Sequence, residues 1–219
     1  MAKKRKRKKK KTTAQIVGIT LLIVLAVFTV CAFIIIFNWK SFLKKAEELL
    51  PTSFTYPTEY EEYVVKYSKE YNVDPVLVFA VIRTESSFDP KATSEVGARG
   101  LMQLMPDAFD WLKFRMNDKR DINFDSMYNA ETNIQYGTYF LSFLMNRYNN
   151  SIELTAAAYH GGFSAVDGWL EKGILDKNNV KIENIPKENG LTYEYVKKIK
   201  NAYKHYEQIL KEKKIINNE

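Results

Sequence analysis

The residues most suited to chemistry lie between positions 78 and 106. Val78, Val81, Ile82 and Glu85 fall at i, i+3, i+4 and i+7, which puts them on one face of a helix. Glu85 therefore extends an apolar stripe where another leucine or isoleucine is the ordinary occupant. A carboxyl group pressed into apolar surroundings holds its proton near neutral pH. A protonated carboxylic acid in a cleft is what cleavage of a glycosidic bond requires. A glutamate in this place is either paired with a buried cation or functional, and Arg83 points to another side of the helix. The stretch that follows, Gly97-Ala98-Arg99-Gly100-Leu101-Met102-Gln103-Leu104-Met105-Pro106, sets the amide of Gln103 among methionines just after two glycines. Asp89 and Glu95 are the nearest candidates for a second acid, and both read as solvated loop residues.

Helices must carry these groups. Tyr60, Tyr63, Val64 and Tyr67 recur at helical spacing. Asp74-Pro75 reads as an N-cap followed by proline at the first helical position, opening a helix over 76–86. A helix or pair of turns covers 101–114, with Pro106 resetting its start. Residues 116–128 are polar and loop-like. A long helix follows over 130–148, with Ile134, Tyr136, Gly137, Phe140, Leu141, Leu144 and Met145 inward. Ser151 caps a helix through 158, another runs over 163–171, and 173–190 is a polar connection holding Pro186. A final helix covers 191–213. With no alternating strand pairs and no internal repeat, the expected class is all-α.

The remainder of the chain suggests where this domain works. Residues 14–37 carry no charge and only Gln15, Thr20 and Thr29 as polar members. At the helical rise this run spans roughly 36 Å, enough to cross a bilayer with some tilt. A cleavable signal would have an apolar core of about 7–15 residues and a small-residue cleavage site. Here Ile34, Ile35, Ile36 and Phe37 close the run instead, and Val30 precedes Cys31 where a lipoprotein site needs a small residue. The segment reads as an uncleaved transmembrane anchor. Residues 3–11 contribute nine positive charges, which places the tail 1–13 in the cytoplasm and the rest outside. Trp39 and Lys40 suit the outer boundary. Residues 38–57 read as a stalk, with Phe42, Ala46 and Leu49 on a short amphipathic helix ended by Pro51 and Pro57. The catalytic domain is expected over 58–213, with a polar tail over 214–219.

The net charge of +7 belongs to that tail. Removing its nine cations from the 33 basic residues leaves 24 against 26 acidic, a balance of −2, which argues against a nucleic-acid-binding face. The one cysteine, Cys31, lies in the apolar run, so the domain has no disulfide and must rest on its core. That composition suits an exported domain on a bacterial surface better than a secreted eukaryotic protein. With His160 and His205 the only histidines and no phosphate-cradling glycine loop, no metal and no cofactor are expected.

Several ordered blocks resemble the catalytic domain of the soluble lytic transglycosylases. Glu85-Ser86-Ser87-Phe88 is followed by the segment from Ala92 through Gly-Leu-Met-Gln to Met105-Pro106. Asn133 through Gly137 to Leu141 resembles the next block. Ala156-Ala157-Ala158-Tyr159-His160-Gly161-Gly162 resembles the family's Ala-Tyr-Asn-Ala-Gly, and Ile185-Pro186 with Thr192-Tyr193-Glu194-Tyr195-Val196 its last. The similarity covers about 60–206. The resemblance implies a lysozyme-like helical domain, related to goose-type lysozyme, whose partner is the glycan strand of peptidoglycan. It implies that Glu85 protonates the oxygen between N-acetylmuramic acid and N-acetylglucosamine. The resulting carboxylate then takes the proton of the muramic C6 hydroxyl, which closes on C1 as a 1,6-anhydro sugar. No second carboxylate is needed. It also implies substrate contacts from Ser94 and Gln103, a cleft wall at Met105, and positioning roles for Tyr159 and Tyr195. Gly97, Gly100, Gly161 and Gly162 serve turns and close backbone approach.

Two departures stand out. His160 occupies the family's asparagine position, either as a titrating substrate contact or as a satisfied structural histidine. Leu191 and Tyr193 flank Thr192 where the family often has Glu-Thr-Arg, with Glu188 and Glu194 as candidate substitutes. Within the same resemblance, a water-using muramidase and an inactive wall-binding scaffold are the alternatives to the transglycosylase. Membrane lipid through the anchor, and cell-wall or secretion machinery, are the further partners such a tethered domain would meet.

Overall fold

A computed structural model describes residues 21–25, 27–29, 31–34, 55–186 and 191–216. Residues 21–25, 27–29 and 31–34 are helical and exposed, and among the described residues no helix is long and apolar enough to cross a membrane. The basic tail, most of the expected anchor, Trp39, Lys40, the stalk helix and Glu188 lie outside the described residues. The chain divides into two units, Met1–Thr55 and Tyr56–Glu219. The second carries the candidate chemistry.

That unit is helical, and among the described residues it holds no strand. Its helices are α1 (Glu61–Tyr71), α2 (Pro75–Glu85), α3 (Pro106–Arg115), α4 (Ala130–Arg147), α5 (Ile152–Gly161), α6 (Phe163–Glu171) and α7 (Leu191–Glu212). Short 3-10 turns occupy Phe124–Tyr128 and Ile182–Asn184. The first lies in a stretch whose polarity reads as plain loop. Local chemistry starts the helices as expected: Asp74 accepts from the Val76 N–H at 2.9 Å, and the Ser151 hydroxyl accepts from the Leu154 N–H at 3.2 Å.

Helix α2 is the axis of the unit. All seven residues from Val76 to Ile82 are buried, so α2 is apolar around its whole circumference and not along one stripe only. It packs along α7, while α1 lies on α4, and α5 on α4, α6 and α7. Phe79, Tyr206, Leu141, Leu144, Val196 and Ile199 fill the space between them. A smaller second core of Leu104, Phe109, Leu112, Met127 and Tyr136 lies under α3. Only two isolated bridges, Thr93 with Arg99 and Arg99 with Leu104, give the 93–104 loop a strand-like pairing.

Candidate active site

The site forms where α2 ends. Glu85 is its last residue, half-buried, and Ser86 turns the chain out of the helix. The Ser86 hydroxyl donates to the Leu101 carbonyl at 2.8 Å and so clips the following loop against the helix end. That loop is held from its other side by Asn133, which is fully buried on α4. Its Oδ1 accepts from the Met102 N–H at 2.8 Å, and its Nδ2 donates to the carbonyls of Arg99 at 3.0 Å and Met127 at 2.9 Å. Two glycines permit this closeness. A Cβ on Gly100 would lie 2.0 Å from the Met127 carbonyl oxygen, at a φ of +75°. One on Gly137 would lie 2.3 Å from the Met102 sulfur.

Among the described residues, Glu85 receives one hydrogen bond, from the Tyr195 O–H to Oε1 at 2.6 Å. Burial raises its carboxyl to about 7, and the Tyr195 bond only partly offsets this. No ion pair reaches it among the described residues, and Arg83 donates instead to Ser87 Oγ at 2.8 Å. Of the two alternatives that the apolar stripe leaves open for a buried glutamate, a paired cation is absent from the described surroundings. Burial, and then the Glu85 charge, push the Tyr195 phenol well above its ordinary value, so it stays a donor.

The residues expected from the sequence come together here to different degrees. Tyr159 lies close enough to Glu85 that the carboxyl's charge raises its phenol, after burial does so more strongly. The Tyr159 O–H donates to the Met102 carbonyl at 2.7 Å. His160 places its ring on that of Tyr195, with centroids 4.7 Å apart, and its Nδ1 lies 3.1 Å from Thr192 Oγ1. The residue is exposed. Burial, and then the Lys198 charge, lower its tendency to protonate. Gln103 sits at a φ of +46° with both amide protons spent on the carbonyls of Ala92 and Gly100, at 3.1 and 2.9 Å. Its Oε1 is left as the group with which it could meet a ligand. The Ser94 hydroxyl accepts from the Ala98 N–H at 2.9 Å, closing the loop's own turn, and keeps its proton to give. Met105 precedes α3 and is 39 % exposed.

Neither candidate second acid is desolvated. Asp89 is exposed and accepts from the Lys91 N–H at 2.8 Å, and Glu95 is exposed on the loop. Glu194 is exposed beside Lys197. Among the described residues there is no group of three or more histidine, cysteine, aspartate and glutamate side chains that could hold a metal. The structural work of Asn133 and Ser86 does not follow from the sequence patterns above. An asparagine on the inward face of an otherwise apolar helix is the signal that points to the first.

Comparison with known proteins bears on this arrangement. Residues 62–180 match the family model described as the transglycosylase SLT domain. The soluble lytic murein transglycosylase of Salmonella typhimurium is 33% identical over 117 residues, 52% of this chain and 18% of that protein. The membrane-bound lytic murein transglycosylase C of Pectobacterium atrosepticum is 31% identical over 168 residues, 68% of this chain and 46% of its own. The crystal structure of the 70 kDa soluble lytic transglycosylase from Escherichia coli matches with a TM-score of 0.67 at 26% identity, covering 73% of this chain and 26% of that one. The chain thus corresponds to less than half the length of each of these relatives.

Proposed function

The chain belongs to the transglycosylase SLT domain family, and we propose that it is a membrane-anchored lytic transglycosylase acting on the glycan strands of peptidoglycan. One observation carries this reading: a carboxyl raised to about 7 by burial, at the end of a buried helix, held by one phenol and no cation among the described residues. Such a group can both give and take a proton near neutral pH.

Glu85 in its acid form gives its proton to the oxygen linking N-acetylmuramic acid to N-acetylglucosamine, and the C1–O bond breaks. The Tyr195 O–H steadies the carboxylate that results. Glu85 then takes the proton of the muramic C6 hydroxyl as that oxygen bonds to C1. The product is a 1,6-anhydro sugar, Glu85 is again protonated, and no water is consumed. Gln103 Oε1 accepts an acetamido N–H, and Ser94 donates its hydroxyl proton. Met105, Tyr159 and His160 line the cleft. Residues 14–37 tether the 58–213 domain outside the membrane, with 1–13 inside and 38–57 as stalk. The uncharged apolar run and nine flanking cations support this, as does a relative named as membrane-bound. A tether of this kind limits cleavage to strands near the membrane and suits wall remodelling beside machinery that builds or crosses it.

Digestion of peptidoglycan sacculi by the detergent-solubilised full chain, read by mass spectrometry beside Glu85→Gln, tests the proposal. Anhydromuropeptides from the wild type alone are expected. Products heavier by one water would make the protein a muramidase. Glycan binding without any product would leave a scaffold.

A further inference from the structure

Helix α5 ends beside the first turn of α7, and three side chains link that junction to the acid. Thr192 and Tyr195 stand three residues apart and so share a face of α7. His160, next to last in α5, meets both: its Nδ1 lies 3.1 Å from Thr192 Oγ1, and its ring covers Tyr195 at 4.7 Å and 30°. The neighbouring Gly161 makes the approach feasible, since a Cβ there would come within 3.1 Å of the same Thr192 oxygen. Tyr195 is buried and its O–H ends on Glu85 Oε1. The phenol is therefore gripped through its ring by one helix while its hydroxyl grips a carboxyl on another.

We propose that His160 is a positioning residue for Glu85, acting through Tyr195 and tethered by Thr192. The proposal rests on Glu85 being the acid of the reaction described above. The Tyr195 bond opposes the upward push of burial on Glu85, so whatever fixes the phenol also sets where the carboxyl titrates. The groups that face this pair are few. Tyr159 approaches Glu85 from α5, Tyr195 from α7, and Lys198 on α7 is the cation felt by His160. Among the described residues, the influences on the carboxyl are burial and the Tyr195 hydrogen bond. A phenol released from its stack would leave Glu85 holding its proton to higher pH, a weaker acid for the first proton transfer and a stronger base for the second.

The test follows the Glu85 carboxyl by carbon NMR as a function of pH in the full chain in detergent, identifying its signal by loss in Glu85→Gln. His160→Ala should move the midpoint upward by roughly half to one pH unit, the scale of one hydrogen bond. Tyr195→Phe should do the same, and the double variant no more than either alone, because both act on one bond. His160→Phe, which keeps a ring over Tyr195, should recover most of the wild-type titration, and kcat/KM should fall roughly fivefold in His160→Ala. A midpoint unmoved by His160→Ala, or shifts that add in the double variant, would overturn the proposal. Should His160→Ala lose its helical circular dichroism, Thr192→Val carries the same expectation, since it cuts the tether and leaves the ring. The titration needs no substrate, so failure of the wild type to cleave peptidoglycan would remove the reaction without touching this coupling.

Discussion

Glu85 and Asp118 are both carboxylates that receive a tyrosine hydroxyl, at 2.6 Å from Tyr195 and 2.7 Å from Tyr136. They differ in everything else. Asp118, in the turn after α3, also accepts two guanidinium nitrogens of Arg120 at 2.6 to 3.0 Å and the Arg120 N–H at 2.9 Å. The Arg120 hydrogen bonds hold its carboxyl far below the usual range, although its side chain is only 9 % exposed. Among the described residues Glu85 has the phenol alone, and burial wins. A tyrosine bond therefore does not decide whether a sheltered carboxyl keeps its proton. The presence or absence of a cation does, and one molecule uses both settings: a charged staple in one loop and a proton reservoir at a helix end.

The two settings predict opposite responses to perturbation. The largest effect belongs to Glu85→Gln, which should lower the rate of glycan cleavage by about 10²- to 10⁴-fold in a turnover assay. Next comes the pH profile of the wild type. The reactive form is the acid, so kcat/KM should fall about tenfold per pH unit once the pH exceeds about 7. Stability should show the contrast in sign. Glu85 has a raised folded value, so the folded state binds the extra proton between about 4.5 and about 7, and stability declines across that window. Glu85→Gln should remove the decline and leave the variant more stable above pH 7, by about 1–3 kcal/mol in urea unfolding, with no difference near pH 4. Asp118 has a depressed folded value. Its contribution is present above the unfolded value and is lost as pH falls below about 4. Arg120→Ala should thus cost about 1 kcal/mol at pH 7, modest because Arg120 is half exposed, and the cost should shrink on acidification. The smallest effect is expected from Tyr136→Phe. It should leave cleavage unchanged and lower stability by about 1 kcal/mol, where Tyr195→Phe strikes the titration of the acid itself.

The difference between these regions also explains which features a sequence makes legible. Glu85 stands out because it interrupts a periodic apolar pattern, and Asp74-Pro75 because a cap and a proline announce a helix start within two residues. Asp118 and Arg120 do not, since 116–128 reads only as polar, and the Tyr136 that completes the cluster sits 18 residues from Asp118 on the buried face of α4. The same holds for Asn133, whose three partners lie 6, 31 and 34 residues away. Periodicity reports which face is inward. It carries no record of which buried polar atom meets which. The all-round burial of α2 likewise depends on helices contributed from both sides of the chain, so a four-residue stripe understates it. Gln103 shows a finer limit: its type and spacing place it near the acid, but the spending of both amide protons on its own loop is a matter of backbone geometry at a positive φ.

The reach of Tyr195 across 110 residues to Glu85 has a consequence for the life of the protein. A ribosome delivers α2 well before α7. Until α7 emerges and docks, the growing chain owns the glutamate but not the phenol that holds it. A chain stalled or clipped ahead of Leu191 would carry Glu85 without the hydroxyl that steadies it.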